Sequence, residues 1–143
     1  RADRVEWPRI GRLFFLYSTK LLLSILWIVV MINMLKADVL SLYIPNSTDE
    51  VLKAAGDIPI TLLMLIGSVM METSILMIVL SYVLERKLNR RLNIIVAVLT
   101  IIFIWGGMST YPHYLFIATV ETVCLLFIIR VAWKWSESEI LVT

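Results

Sequence analysis

Asp38, Glu72 and Glu121 are carboxylic acids set in stretches of a 143-residue chain that are otherwise apolar enough to sit in a lipid bilayer. An ionised carboxylate at the centre of a membrane helix costs at least ~2.5 kcal/mol on insertion scales, so such residues face a packed interior, find a partner, or serve a pathway or site. The chemistry open to them is proton sharing, cation binding, or general acid and base work. His113 and Tyr114, directly after Pro112, bring an imidazole and a phenol to the same set of candidates.

Helical spacing groups these residues with others. Thr61, Leu65, Ser68, Glu72 and Leu76 recur every three or four positions, as do Tyr114, Ala118, Glu121 and Leu125. Each stripe mixes small or polar residues with one acid, which predicts an inward face. Asn33 and Asp38 on an earlier helix and Thr100 on a later one are supporting polar groups. Lys36 is about 200° around the helix from Asp38, so it pairs elsewhere or snorkels to the interface.

Three readings stay open for the acids: a ligand, ion or proton site; hydrogen-bonded residues that fix helix register; or catalysis. In the first, Glu72 and Glu121 form the base of a polar cavity, with Asp38, His113 and Tyr114 nearer its mouth. Neighbouring carboxylates there share protons, because desolvation and mutual repulsion both disfavour the charged form. His113 alone reads as a wet residue at a helix start, and Trp105, Trp133 and Trp135 read as an interfacial belt.

Other chemistries find no support. One His, no HExxH, no CxxC and no Glu-x-x-His pair leave no metal site of a known pattern. GxSxG, P-loop and GxGxxG motifs are absent, so no hydrolase triad, nucleotide or dinucleotide cofactor is expected. Asn89 and Arg90 read as a structural turn or a lipid-headgroup contact. The single Cys124 rules out an intramolecular disulfide and reads as a small core residue.

The elements that must position these residues follow from hydropathy. With 60% hydrophobic and 17% charged residues and a mean hydropathy of +0.90, the chain is too apolar for a soluble domain. About four helices of ~20 residues fit the length, which leaves no room for a soluble domain. The expected fold is all-α, a polytopic membrane four-helix bundle with spans at about 21–43, 58–84, 92–107 and 114–133 within a 20–135 domain. Residues 1–19 mix arginines with Trp7, Phe14, Phe15 and Tyr17, interrupted by Pro8 and Gly11, and predict an interfacial cytoplasmic segment. The first hydrophobic run is too long for a secretory signal and reads as a retained anchor. Pro45-Asn46-Ser47 ends the first span, and a polar loop with Asp49, Glu50, Lys53 and Asp57 follows. The charged run 85–91 predicts a tight connection, Gly106-Gly107 ends the third span, Met108 to Pro112 turns the chain, and 136–143 form a short tail.

Charge placement gives orientation. Arg1, Arg4, Arg9, Arg12, Lys20, Arg86, Lys87, Arg90, Arg91, Arg130 and Lys134 flank one side of the spans, against Lys36 and Lys53 on the other. The positive-inside rule then puts both termini in the cytoplasm. Asp38 lies about 8 Å below the outer end of its helix, Glu121 about 10 Å below the same surface, and Glu72 near the middle of its span. A net charge of +2 arises from these border residues, so membrane lipids, not nucleic acid, are the expected contacts. No repeat of 20–50 residues and no GxxxG motif stands out.

One resemblance adds to this reading. Leu26-Trp27-Ile28, Asn33-Met34, Ala37-Asp38, Met71-Glu72, Ile78-Val79-Leu80-Ser81, Val83-Leu84, Asn89-Arg90, Leu92-Asn93-Ile94-Ile95, Gly106-Gly107, Pro112-His113-Tyr114, Ala118-Thr119-Val120-Glu121 and Ala132-Trp133-Lys134-Trp135 occur in that order. The set resembles a family of small bacterial four-helix membrane proteins known only as a domain of unknown function, over residues 22 to 136. Asp38, Glu72, His113 and Glu121 fall on positions of the family pattern. Lys36 and Thr73-Ser74 depart from it, where apolar residues and an Ile-Pro pair stand. The resemblance implies four spans in a bacterial membrane and implies no activity.

The expected function is binding of a small cation, proton or polar lipid-like ligand in an outward-facing acidic cavity. An accessory subunit or assembly factor of a larger membrane complex is the alternative, and a homo-oligomer is compatible with both. The third reading is a membrane enzyme acting on a lipid-like substrate, with Glu72 or Glu121 as acid or base beside His113.

Overall fold

The computed structural model describes residues 7–45, 47–107 and 111–135. The start of the expected interfacial segment (1–6), part of the turn after Gly107 (108–110) and the short tail (136–143) lie outside the described residues. Within them the chain is all helical: α1 (Trp7–Ser41), α2 (Ser47–Ala55), α3 (Ile60–Val83), α4 (Arg86–Gly106) and α5 (Pro112–Lys134). Ser18–Ser41 of α1 and the whole of α3, α4 and α5 are long and apolar enough to cross a membrane. The chain reads as a multi-pass membrane protein.

α1 runs unbroken for 35 residues, about 52 Å at 1.5 Å per residue, so its first turns extend beyond a ~30 Å hydrocarbon core. Pro8 does not interrupt it, because it falls in the first turn, where a missing N–H removes no hydrogen bond. The polar loop expected after Pro45 contains a nine-residue helix, α2. Ser47 to Glu50 has the S-x-x-E spacing of a helix start, and Lys53 lies in the last turn, where a cation suits the helix dipole. Gly56, at φ 61°, ends it in the left-handed region that glycine enters without strain.

The charged run 85–91 is not a connection. Arg86 to Arg91 form the first turns of α4, and only Leu84 and Glu85, both extended (ψ 151° and 149°), reverse the chain. Arg, Lys and Leu are strong helix formers, and the run holds neither Gly nor Pro to stop them. Four cations at the positive end of a helix dipole oppose that preference. Two of them lie over tryptophans at the end of α5: the Arg86 guanidinium is 5.9 Å from the ring centre of Trp135, which caps the helix, and that of Arg90 is 5.8 Å from Trp133. Trp135 is thus a core residue, 4% exposed, and not a lipid-facing belt residue.

α1 packs against both α3 and α5, α5 against α4, and α4 more lightly against α3, while α2 touches α3. The contact stripes keep helical spacing: Leu23, Trp27, Val30 and Met34 on α1; Val96, Ala97 and Ile104 on α4; Ala118, Leu125 and Ile128 on α5. On α3 the packed residues are Ser74, Met77 and Ser81. Lipid tails compete with apolar burial, so close packing at small residues and interhelical hydrogen bonds must hold the helices together.

One buried network supplies such bonds. Trp27 Nε1 donates to Asn93 Oδ1 at 2.7 Å, and Ser81 Oγ donates to the same oxygen at 3.2 Å. Asn93 Nδ2 donates to the Asn89 carbonyl and Oδ1 at 2.9 and 2.6 Å, and Asn89 Nδ2 donates to the Ser81 carbonyl at 2.6 Å. Ser24 Oγ donates to the Ile78 carbonyl at 2.7 Å. These bonds join α1, α3 and α4. Asn89 is therefore neither a turn residue nor a headgroup contact: it is fully buried in the network.

Candidate functional site

The end of the molecule that carries α2 holds a cavity of about 110 Å³ between four helices. α1 contributes Met34, Ala37 and Asp38; α3 contributes Gly67 and Met71; α4 contributes Phe103 and Ile104; α5 contributes Tyr114, Ala118 and Glu121. Helical spacing explains the set. Met34, Ala37 and Asp38 cover one turn of α1, Gly67 and Met71 are four apart, and Tyr114, Ala118 and Glu121 form one stripe of α5. Seven of the ten lining residues are apolar, and the polar three are two acids and a phenol.

Glu121 is the dominant group. It is 3% exposed, and its Oε1 is buried without a hydrogen-bond partner. A buried acceptor left unpaired costs about 1–3 kcal/mol, which a packed structure normally avoids. Asp38 shares the cavity but is itself exposed, so it marks the open edge. Tyr114 is half-buried and donates Oη–H to the Ile104 carbonyl at 3.2 Å, which ties the start of α5 to the end of α4. Its phenol oxygen retains acceptor capacity.

The other sequence candidates stand elsewhere. Glu72 is exposed on α3 and does not line the cavity, and the stripe it belongs to, Thr61, Leu65, Ser68, Glu72 and Leu76, faces outward throughout. The expectation of an inward stripe reverses because α3 is apolar all round, so hydrophobic periodicity selects no face. Ser68 Oγ is exposed and donates to the Met64 carbonyl at 2.8 Å. Thr100 is fully buried and donates to the Val96 carbonyl at 2.8 Å. Asn33 is half-buried and outside the lining. His113 is half-buried and stacks on Tyr111 with ring centres 5.9 Å apart, its Nε2 buried without a partner; it does not line the cavity.

Sequence reasoning missed Met34, Ala37, Gly67, Met71, Phe103 and Ile104 as lining residues. A signal existed for α3: Gly67, Ser74 and Ser81 recur every seven residues, and small residues mark close helix contacts in membranes. Phe103 and Ile104 carry no chemical signature that separates them from the other apolar residues of α4.

Among the described residues no group of three or more His, Cys, Asp or Glu could hold a metal ion. What the arrangement offers is one exposed and one buried carboxyl group, a phenol, and apolar walls. Its oxygens can accept hydrogen bonds from a ligand.

A family model, described as a family of unknown function (DUF6326), matches residues 13–142. The chain belongs to that family. The match takes in every residue of the cavity and all four candidate spans of this DUF6326 member. No curated protein and no solved structure matches it.

Proposed function

We propose that this DUF6326 member is a four-helix bundle of a bacterial inner membrane, with cytoplasmic termini, that binds a small cation between Asp38 and Glu121. The observation that carries the reading is the Glu121 carboxyl group, buried at a cavity wall with Oε1 unpaired. A buried polar group held without a partner is a common mark of a binding site, because stability there is given up for function. Basic residues at the start of α1, the start of α4 and the end of α5 support the orientation, and the cavity then opens outward.

Size weighs against a lipid-like ligand or substrate. At about 110 Å³ the cavity is well below the ~300 Å³ lower bound of ordinary ligand pockets. It has room for a few waters or one small ligand. The test is a titration of the purified protein with small cations, read as thermal unfolding in detergent. Binding to the native state raises Tm by mass action, and Glu121→Gln should abolish the rise. An identical rise in wild type and variant would remove the site.

A second reading is favoured by Glu72. An acid at mid-span on an outward face is costly in lipid. Of the four candidate spans, α3 is also the least covered, with 11% of its apolar window buried against 33% in each of the others. A partner helix against α3 would relieve both features, as expected of an accessory subunit or an oligomer. Site-specific crosslinking from position 76, beside Glu72, would capture that partner; crosslinks to lipid alone would count against it.

A further inference from the structure

Whether the cavity takes an inorganic or an organic cation is decided by its walls. An inorganic ion stripped of water needs a shell of oxygens, six to eight at ~2.3–2.6 Å in the case of calcium. Asp38, Glu121 and Tyr114 present five side-chain oxygens among them, and Tyr114 Oη is already bonded to the Ile104 carbonyl. The rest of the lining is carbon and thioether sulfur: Met34, Met71, Phe103, Ile104, Ala118 and Ala37. These walls leave a metal ion short of ligands but suit an alkyl group. A cation held within about 6 Å of the Phe103 or Tyr114 ring centre would also gain from the ring quadrupole.

Hydrogen bonding narrows the class further. Glu121 Oε1 is a buried acceptor without a donor, so the complementary ligand carries a hydrogen-bond donor, which in an organic cation is an N–H. A quaternary ammonium would supply charge but leave that acceptor unpaired. Volume bounds the size. A cavity of ~150 Å³ holds benzene, so by proportion about 110 Å³ holds four or five non-hydrogen atoms.

We infer that the cavity binds a small primary or secondary alkylammonium ion of about this size, its N–H groups donating to Glu121 and Asp38 and its alkyl body against Met34, Met71 and Phe103. The inference rests on the cation site proposed above and goes further by naming the ligand class. Gly67 gives an independent handle, because it lines the cavity and a Cβ built there meets nothing within 4 Å, so the first atom of a side chain at 67 has room.

The experiment is calorimetric titration of the full chain in detergent with tert-butylammonium chloride, tert-butanol and sodium chloride at matched ionic strength. The ammonium ion is expected to bind saturably, and the alcohol and sodium at least about tenfold more weakly, a loss of one charge-assisted hydrogen bond. Glu121→Gln should weaken the ammonium about tenfold or more, and Gly67→Val should weaken it by occlusion while retaining helix content. Sodium binding as tight as the ammonium, and lost in Glu121→Gln, would overturn the ligand class and leave the cation site standing. Equal binding of tert-butanol would show an apolar hole and overturn the inference. No binding of either cation would remove both the inference and the site. Should Glu121→Gln fail to fold, the ranking of the three probes on the wild type and on Gly67→Val still decides.

Discussion

The indole N–H of Trp27 on α1 reaches the Oδ1 of Asn93 on α4 at 2.7 Å, across 66 residues of sequence, and both side chains are fully buried. The same oxygen also receives Ser81 Oγ from α3, so one amide joins three helices. Apolar burial does little between helices in lipid, and such bonds contribute about 0.6–2 kcal/mol each. Asn93→Leu leaves the Trp27 N–H, the Ser81 hydroxyl and the Asn89 Oδ1 without partners, while Asn89 Nδ2 keeps the Ser81 carbonyl. It is expected to destabilise the protein by about 2–4 kcal/mol in reversible denaturant unfolding, since each orphaned group adds a desolvation cost. Trp27→Phe should cost less, and a double-mutant cycle should give a coupling energy of at least about 0.5 kcal/mol. Additive effects would show that the contact contributes nothing beyond packing.

The opposite sign is expected at Glu121. Its Oε1 has no partner, so a thioether of similar length removes an unsatisfied group and keeps the volume. Glu121→Met should therefore raise ligand-free stability by about 1–2 kcal/mol. The same variant should lose cation binding. A large loss of stability, measured under the same denaturant conditions, would mean that the carboxyl group is structurally bonded and that the cavity is incidental.

How much of this could be read in advance depended on what each helix had to signal. The four spans were legible because length and hydropathy are chain-local properties. The inward stripe of α5 was legible too, since Ala118 and Glu121 stand out against bulky apolar neighbours. On α3 the polar stripe around Glu72 pointed the wrong way, because a helix apolar on every side gives periodicity nothing to select. Asn89 looked like part of a charged turn until the extended pair Leu84-Glu85 moved the turn and carried it into the core. The cavity itself is a property of four helices at once, and no single stretch encodes it.

Gly67 tests cavity and helix together. Replacing a mid-helix glycine by alanine gains up to about 1 kcal/mol of helix propensity, and the new methyl meets no atom within 4 Å. Gly67→Ala is expected to hold or raise Tm while weakening small-ammonium binding. A fall in Tm of more than a few degrees would show that another group already occupies that space, and a neighbouring copy would be the first suspect.

Glu72 separates the two functional readings. It is exposed at the middle of α3, about 18 Å from the first residue of that helix, where neither interface is within reach of its side chain. If α3 faces lipid, Glu72→Leu removes an insertion cost of a few kcal/mol and stabilises the protein, with no change in its mass in detergent. If α3 is covered by a partner or a second copy, the carboxyl group is a hydrogen-bonding contact between helices, and Glu72→Leu weakens the assembly. The expected outcome is the second, a shift of the light-scattering mass toward the 16.5 kDa chain with cation affinity unchanged, because Glu72 does not line the cavity. An unchanged mass together with higher stability would assign α3 to lipid and leave the Asp38–Glu121 cavity untouched.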